Sequence, residues 1–207
     1  MINSIVDKAK QDSLTPDAVL KDLMQGNVRF MDGNMHERDY SAQIERTVDG
    51  QWPKAVVLGC IDSRVPVEHV FDQGIGDLFV ARVAGNFENT DILGSMEYSC
   101  KVAGSKLVLV LGHESCGAVK AACDDVQMGN ITSMLKHIKP AVEASKTDGE
   151  RNSGNADFVA QVVENNVRQT VERVRQGSPI LNEMEGKGDI KIVGGVYSIS
   201  TGKVTLL

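Results

Sequence analysis

The stretch AVVLGCIDSR, residues 55–64, and its counterpart LVLVLGHESCG, residues 107–117, together decide the fold. Each begins with an uninterrupted apolar run, which is typical of a strand buried on both faces of a parallel sheet. Each then changes abruptly to residues that carry chemistry. Because ligands collect beyond the carboxyl ends of parallel strands, we expect the two motifs to meet at one edge of the sheet. Two thiols and an imidazole would then lie close together.

The order of apolar runs along the chain predicts an α/β fold. Its centre is a mostly parallel β-sheet with one antiparallel edge strand, flanked by helices. Ser200-Thr201-Gly202 separates the last two strands and indicates a hairpin. The chain, 1–207, has the length of a single domain, and we expect an N-terminal helical arm over about 1–35. The predicted strands are 54–58, 77–83, 106–111, 190–196 and 203–207.

Capping residues and helical periodicity locate the main helices. Thr15-Pro16-Asp17 combines a capping hydroxyl, a proline at the first helical position and an acid in the first turn. Valines over residues 159–174 mark the clearest amphipathic helix. We expect residues 1–13 to be loosely held, residues 32–53 to be irregular, and a helix over 129–139 to be closed by Pro140.

The composition excludes several functional classes. The net charge is −6 and the basic residues are scattered, which argues against nucleic-acid binding. No stretch approaches the roughly 18–20 apolar residues of a membrane span, so we expect no membrane partner. No secretory signal is visible at the N-terminus, and there are only four cysteines. We therefore expect a cytoplasmic protein, or a periplasmic one if a signal peptide has been removed.

Cys60, His113 and Cys116 form a Cys2His set, which commonly holds zinc with one tetrahedral position left open. Zinc lowers the pKa of a bound water, so zinc-bound hydroxide is a nucleophile near neutral pH. The alternative is that each cysteine is a small buried hydrophobe, but the position of both motifs at strand ends favours the metal. The other cysteines and histidines lack ligand spacing, and we expect them to be structural or on the surface: Cys100, Cys123, His36, His69 and His137.

Asp62 and Arg64 alternate across Ser63, so their side chains point the same way in an extended loop. One interpretation is an ordinary ion pair. The functional interpretation is a carboxylate that the guanidinium holds ready to orient zinc-bound hydroxide. If the pair breaks, Asp62 itself becomes the fourth metal ligand and stops the chemistry. The sequence leaves both states open.

Cys60-x-Asp62-x-Arg64 followed by His113-x-x-Cys116 closely resembles the zinc-binding signature of the β-class carbonic anhydrases, and the resemblance runs from about residue 50 to the C-terminal strands. It implies a zinc lyase that catalyses reversible hydration of CO2 to bicarbonate and a proton, with one Zn2+ per chain. It also implies a homodimer or homotetramer. By position, the metal ligands are Cys60, His113 and Cys116, and the catalytic pair is Asp62 and Arg64.

The resemblance also implies a substrate pocket. Plant-like members place a glutamine, a phenylalanine and a tyrosine there, partly across the dimer interface, and Gln51, Phe79 and Tyr98 stand at the matching positions. Ala84 replaces a valine of that pocket and would widen it slightly. Val57 stands where some bacterial members carry the tryptophan of an inhibitory bicarbonate site, which argues against that kind of inhibition here.

Two other functions remain open at this point. A hydrolase of CS2 or COS on the same fold would use the same residues with different pocket access. A zinc-stabilised binding protein would keep Asp62 locked on the metal. The intact pair of Asp62 and Arg64, together with Gln51, Phe79 and Tyr98, argues against the binding protein, because a structural zinc site needs none of these residues.

Overall fold

A computed structural model describes residues 4–207, and its centre is one five-stranded sheet in the order β2-β1-β3-β4-β5. The pairs β1–β2, β1–β3 and β3–β4 are parallel, whereas β4–β5 is antiparallel. This arrangement confirms the predicted α/β fold with one antiparallel edge strand. The strands are β1 Ala55–Gly59, β2 Leu78–Arg82, β3 Leu107–His113, β4 Lys191–Tyr197 and β5 Val204–Leu206.

The strand register brings the two motifs together. Ala55 of β1 pairs with Leu107 of β3, so Gly59 lies opposite Leu111. The chain leaves β1 at Cys60, while β3 continues to His113. Since parallel strands end at the same edge, both motifs emerge side by side, as the sequence predicted.

Helices cover both faces of the sheet. The helices are α1 Lys8–Asp12, α2 Pro16–Met31, α3 Tyr40–Thr47, α4 Val67–Val70, α5 Thr90–Glu97, α6 Gly117–Cys123, α7 Gly129–Leu135, α8 Lys139–Ala144, α9 Ala156–Gly177 and α10 Pro179–Gly186. A single π-helical turn, Tyr98–Val102, follows α5. The apolar residues of α2 and α4 pack on one face with Val57 and Leu109, and α9 packs on the other with Val56 and Val108. This division follows from the alternation of side chains along each strand.

Two predicted helices are confirmed and one boundary is wrong. Thr15 caps α2 by accepting the Ala18 N–H at 3.2 Å, and α9 buries its row of valines. Pro140 does not close a helix. It lies in the first turn of α8, where a proline needs no hydrogen-bond partner for its nitrogen, and the preceding helix ends earlier, at Leu135.

The prediction that residues 32–53 are irregular is wrong for residues 40–47, which form α3, capped by Asp39. The prediction that residues 1–13 are loosely held is wrong for α1; residues 1–3 lie outside the described part of the chain. Gln11 of α1 is buried, and its Nε2 donates to the carbonyl oxygens of Pro53 and Ala103, both at 2.8 Å. Hydrogen bonds to distant parts of the chain hold this segment in place. The sequence of a short polar helix does not indicate such bonds.

Asp72, in the loop after α4, is fully buried in a cluster of charges that links this loop to α2 and to the segment before α3. Arg29 of α2 donates to its carboxylate at 2.5 Å, Arg38 also donates to it, and the His36 ring nitrogen Nδ1 lies 3.3 Å away. Burial raises the pKa of Asp72, but the hydrogen bonds from the two guanidinium groups outweigh it and leave the pKa below its usual value. The carboxyl group is therefore ionised in the folded protein.

Asp72→Asn is expected to lower the free energy of unfolding by about 3 kcal/mol at neutral pH, because two largely buried guanidinium groups lose their counter-charge. The folded-state pKa is depressed, so the stabilisation by Asp72 is present above its unfolded pKa of about 3.9 and is lost as the pH falls through the folded value. The difference in the free energy of unfolding between wild type and variant should therefore shrink below about pH 4. Urea unfolding across this range measures it, and a constant difference would contradict the assignment.

Candidate metal centre

Three different elements bring the predicted metal ligands to one point. Cys60 directly follows β1, His113 is the last residue of β3, and Cys116 is the N-cap of α6. Their ligand atoms all lie within 4.8 Å of one another, and the two sulphur atoms are 3.9 Å apart. All three side chains are buried. The structure therefore shows a compact N,S,S donor set.

The imidazole of His113 is oriented for coordination. Its Nδ1 lies 2.8 Å from the carbonyl oxygen of Glu114, and because a carbonyl only accepts, Nδ1 carries the proton. The Nε2 atom then presents a lone pair. This atom is buried and has no hydrogen-bond partner within residues 4–207. A metal ion in the donor set would bind its lone pair.

The two cysteines are electrostatically coupled. Hydrogen bonding with the Cys116 thiol, opposed by burial, lowers the pKa of Cys60 to about 4. The same contact, together with burial, raises the pKa of Cys116. The pair therefore shares one proton. A divalent ion would displace that proton and neutralise both thiolates, so the residues fit a bound metal.

The donor types indicate which metal fits. Thiolate and imidazole ligands select zinc over magnesium or calcium, which prefer oxygen. Three protein ligands are also characteristic of catalytic zinc sites, in which the fourth position stays open. The described residues contain no other group of three candidate ligands this close together.

Asp62 and Arg64 form a bidentate ion pair beside the three ligands. Arg64 Nε donates to Asp62 Oδ1 at 3.0 Å and Nη2 donates to Oδ2 at 2.8 Å. These bonds hold the pKa of Asp62 well below its usual range. Asp62 Oδ2 lies 3.9 Å from His113 Nε2. The carboxylate is therefore ionised, near the donor set and held away from it by Arg64.

The sequence analysis missed Arg82 at the end of β2. Its Nε donates to the Cys60 carbonyl at 2.8 Å and its Nη2 donates to the Asp62 carbonyl at 2.7 Å. Arg82 therefore fixes the backbone of the first motif. The available signal was its position, because a charged residue at the carboxyl end of a strand adjacent to β1 faces the same edge.

Within one chain, three predicted pocket residues lie away from the metal ligands. Phe79 pairs with Val56, four residues before Cys60, which corresponds to roughly 13 Å along the strand. Tyr98 packs edge-on against Phe79 with ring centroids 6.1 Å apart, and both line a cavity of about 740 Å³ along the β2 edge. Gln51 is exposed and precedes β1, at the amino end of the sheet. Ala84 alone lies near the site, in the turn after β2.

The remaining cysteines and histidines lie outside the donor set. Burial raises the pKa of Cys100 to about 12, and burial with Asp124 raises that of Cys123 to about 11, so both remain thiols. His137 stacks on Phe87 with ring centroids 4.2 Å apart. These contacts fit the structural roles expected from the sequence.

The fold and the site together define an α/β protein with a Cys2His cluster able to hold a metal ion at the carboxyl edge of a parallel sheet. Comparison with known proteins agrees with this class. The carbonic anhydrase family model matches residues 55–204. Carbonic anhydrase 2 of Mycobacterium tuberculosis is 35% identical over 197 residues, covering 92% of each chain. The carbonic anhydrase of Mycolicibacterium smegmatis is 36% identical over 197 residues, covering 92% of this chain and 93% of that protein.

A solved structure supports the same assignment. The Coccomyxa β-carbonic anhydrase in complex with acetazolamide superposes with a TM-score of 0.71 and 26% identity, covering 81% of this chain and 77% of that one. The chain therefore belongs to the carbonic anhydrase family, in its β-class, and is an enzyme of that family. Among the described residues, no helix is long and apolar enough to cross a membrane.

Proposed function

We propose that this protein catalyses the reversible hydration of CO2 to bicarbonate and a proton, with one zinc ion per chain held by Cys60, His113 and Cys116. The observation that carries the proposal is the convergence of these three ligand atoms beside an ionised carboxylate. Membership of the carbonic anhydrase family supports the reaction. The soft donor set supports zinc as the metal.

The residues around the metal position have separate tasks. When bound, zinc is a Lewis acid that makes a water molecule acidic enough to lose its proton near neutral pH. Asp62 would accept a hydrogen bond from the reacting water and so orient it toward CO2. Arg64 keeps that carboxylate ionised and occupies both of its oxygens, which holds it off the metal position.

The substrate pocket is proposed to form between two protomers of a homodimer, which in turn could assemble into a homotetramer. Gln51, Phe79 and Tyr98 of one protomer would complete the site whose metal ligands and Ala84 belong to the other. The exposure of Tyr98, at 54%, and the position of Gln51 at the opposite end of the sheet support this arrangement. The single-domain organisation of residues 1–207 and a cytoplasmic location also stay predictions.

Mixing two defective variants is expected to restore activity. Cys60→Ser lacks a metal ligand, and Gln51→Ala combined with Tyr98→Ala lacks the pocket. In a mixed dimer, one site carries both defects and the other carries none, so refolding the two together should give about a quarter of wild-type activity. The matched control mixes Cys60→Ser with Asp62→Asn, whose positions lie in the same site and should not complement. Equal results for the two mixtures would contradict a shared pocket.

The proposed reaction is tested by stopped-flow CO2 hydration on zinc-loaded protein from about pH 6.5 to about pH 9, the range around the pKa of a zinc-activated water. Rapid hydration that disappears with zinc removal and returns with zinc supports the proposal. Zinc bound at one per chain with no CO2 hydration at any pH would refute it. In that case, release of sulphide from CS2 or COS would identify the alternative hydrolase.

A further inference from the structure

A tight turn after β2 approaches the metal ligands. The N–H of Asn86 donates to the carbonyl of Val83 at 3.0 Å, and Gly85 has a φ of 87°, as at the third position of a type II turn. A Cβ added to Gly85 would lie 2.4 Å from Ile138 Cδ1. The backbone conformation therefore favours glycine at this position, and a Cβ there would also displace the buried Ile138 side chain.

This turn supplies a hydrogen bond to a metal ligand. The N–H of Gly85 donates to Cys60 Sγ at 3.3 Å, in the buried interior. An N–H donor stabilises a thiolate and withdraws charge from it, which changes how strongly the sulphur binds a metal ion. The position of the Gly85 peptide is thus part of the chemistry of the donor set.

A residue far away in sequence holds the turn. Asn166, in the middle of α9, is buried, and its Nδ2 donates to the carbonyl oxygen of Gly85 at 2.8 Å. Its Oδ1 has no hydrogen-bond partner among the described residues. Among residues 4–207, the hydrogen bond of this buried amide therefore goes to Gly85. Burying an amide is unfavourable when one of its atoms lacks a protein partner, so stability alone does not account for an asparagine here.

We propose that Asn166 is a positioning residue for the metal centre. It fixes the Gly85 turn so that the Gly85 N–H donates to Cys60 Sγ and sets the strength of that sulphur ligand. The inference rests on the proposed zinc site. Within residues 4–207 the Asn166 side chain hydrogen-bonds to Gly85 and to none of the three proposed ligands, so it acts through the turn.

Asn166→Ala and Asn166→Ser test this link. Both are expected to weaken zinc binding about 10-fold in competition with a chromophoric chelator, as for other residues that support metal ligands. They should also shift the thiolate-to-cobalt charge-transfer band of the cobalt-substituted protein. Val174→Ala is the matched control. Val174 is buried two turns further along α9, so its truncation lowers stability without touching the turn.

The outcomes separate this inference from the proposed function. Wild-type protein that binds neither zinc nor cobalt at the donor set would overturn both. Wild type that binds both metals, with Asn166 variants no different from Val174→Ala in affinity and spectrum, would overturn the role of Asn166 alone. A weaker affinity and a shifted band in the Asn166 variants only would support it.

A measurement on the wild type covers the case in which the variants fail to fold. In the cadmium-113 form, a hydrogen bond from Gly85 to the Cys60 sulphur transmits a scalar coupling from the metal to the Gly85 amide proton. We expect that coupling in a proton–cadmium correlation spectrum. Its absence in a fully loaded sample would remove the link between the turn and the metal, and the proposal with it.

Discussion

Cys116→Ser is expected to abolish CO2 hydration and to weaken zinc binding by roughly 10²–10³-fold. Structural zinc sites have binding free energies of about 10–16 kcal/mol, so one of four ligands accounts for roughly 2.5–4 kcal/mol. The serine hydroxyl remains protonated near neutral pH and is a poor substitute for a thiolate. The donor set would then keep only Cys60 and His113, which cannot hold the ion in a catalytic geometry. Zinc content after dialysis and chelator competition measure the loss.

Cys123→Ser provides the matched control for this prediction. Cys123 is the last residue of the same helix, α6, and lies outside the group of three ligands. The control variant should retain one zinc per chain and wild-type hydration. Equal loss of zinc in the two variants would mean that both substitutions act by destabilising α6 and not by removing a ligand. Full zinc binding by Cys116→Ser would rule out Cys116 as a ligand.

The sheet and the donor set were predictable because their signals are local. The apolar runs 55–58 and 107–111 are long enough to define buried parallel strands, and the motif directly follows or completes each one. The geometric rule that parallel strands end at one edge then brings Cys60 near His113. The spacing of His113 and Cys116 across a strand-to-helix junction can be recognised from the local sequence alone.

Features that depend on long-range contacts could not be predicted. Gln11 gives α1 its anchor through two backbone carbonyls, one of them 92 residues away. Asp72 binds Arg29 of α2 and Arg38 of the segment before α3, and the spacing of these three residues in the sequence is not distinctive. Arg82 and Asn166 act on the metal centre only through backbone atoms. Such hydrogen bonds leave no pattern in the local sequence.

The predicted pocket residues illustrate a different limit. Gln51, Phe79 and Tyr98 were assigned by resemblance alone, and one chain does not bring them to the metal ligands. Sequence indicates which residue types belong to a site but not which protomer supplies them. The mixing experiment tests which protomer supplies these residues, because contacts within one chain cannot answer that question.

Arg64→Ala is expected to lower kcat/KM by on the order of 10²-fold while the protein keeps its zinc. Arg64 holds both oxygens of Asp62, whose Oδ2 lies 3.9 Å from His113 Nε2. Without the guanidinium, the carboxylate is free to move onto the metal position and exclude water from it. Arg168→Ala is the control, because Arg168 is exposed on α9 and its removal changes the net charge equally. Loss of zinc from Arg64→Ala would contradict this prediction.

A double-mutant cycle identifies how Arg64 acts. If Arg64 works by restraining Asp62, its removal is harmless once the carboxylate is gone, so Asp62→Ala with Arg64→Ala should be no slower than Asp62→Ala alone. If Arg64 instead acts on the substrate independently, the two losses should multiply. The bidentate geometry, which uses two guanidinium nitrogens on one carboxylate, favours the first outcome. A multiplicative result would assign Arg64 to the substrate and leave Asp62 restrained by other contacts.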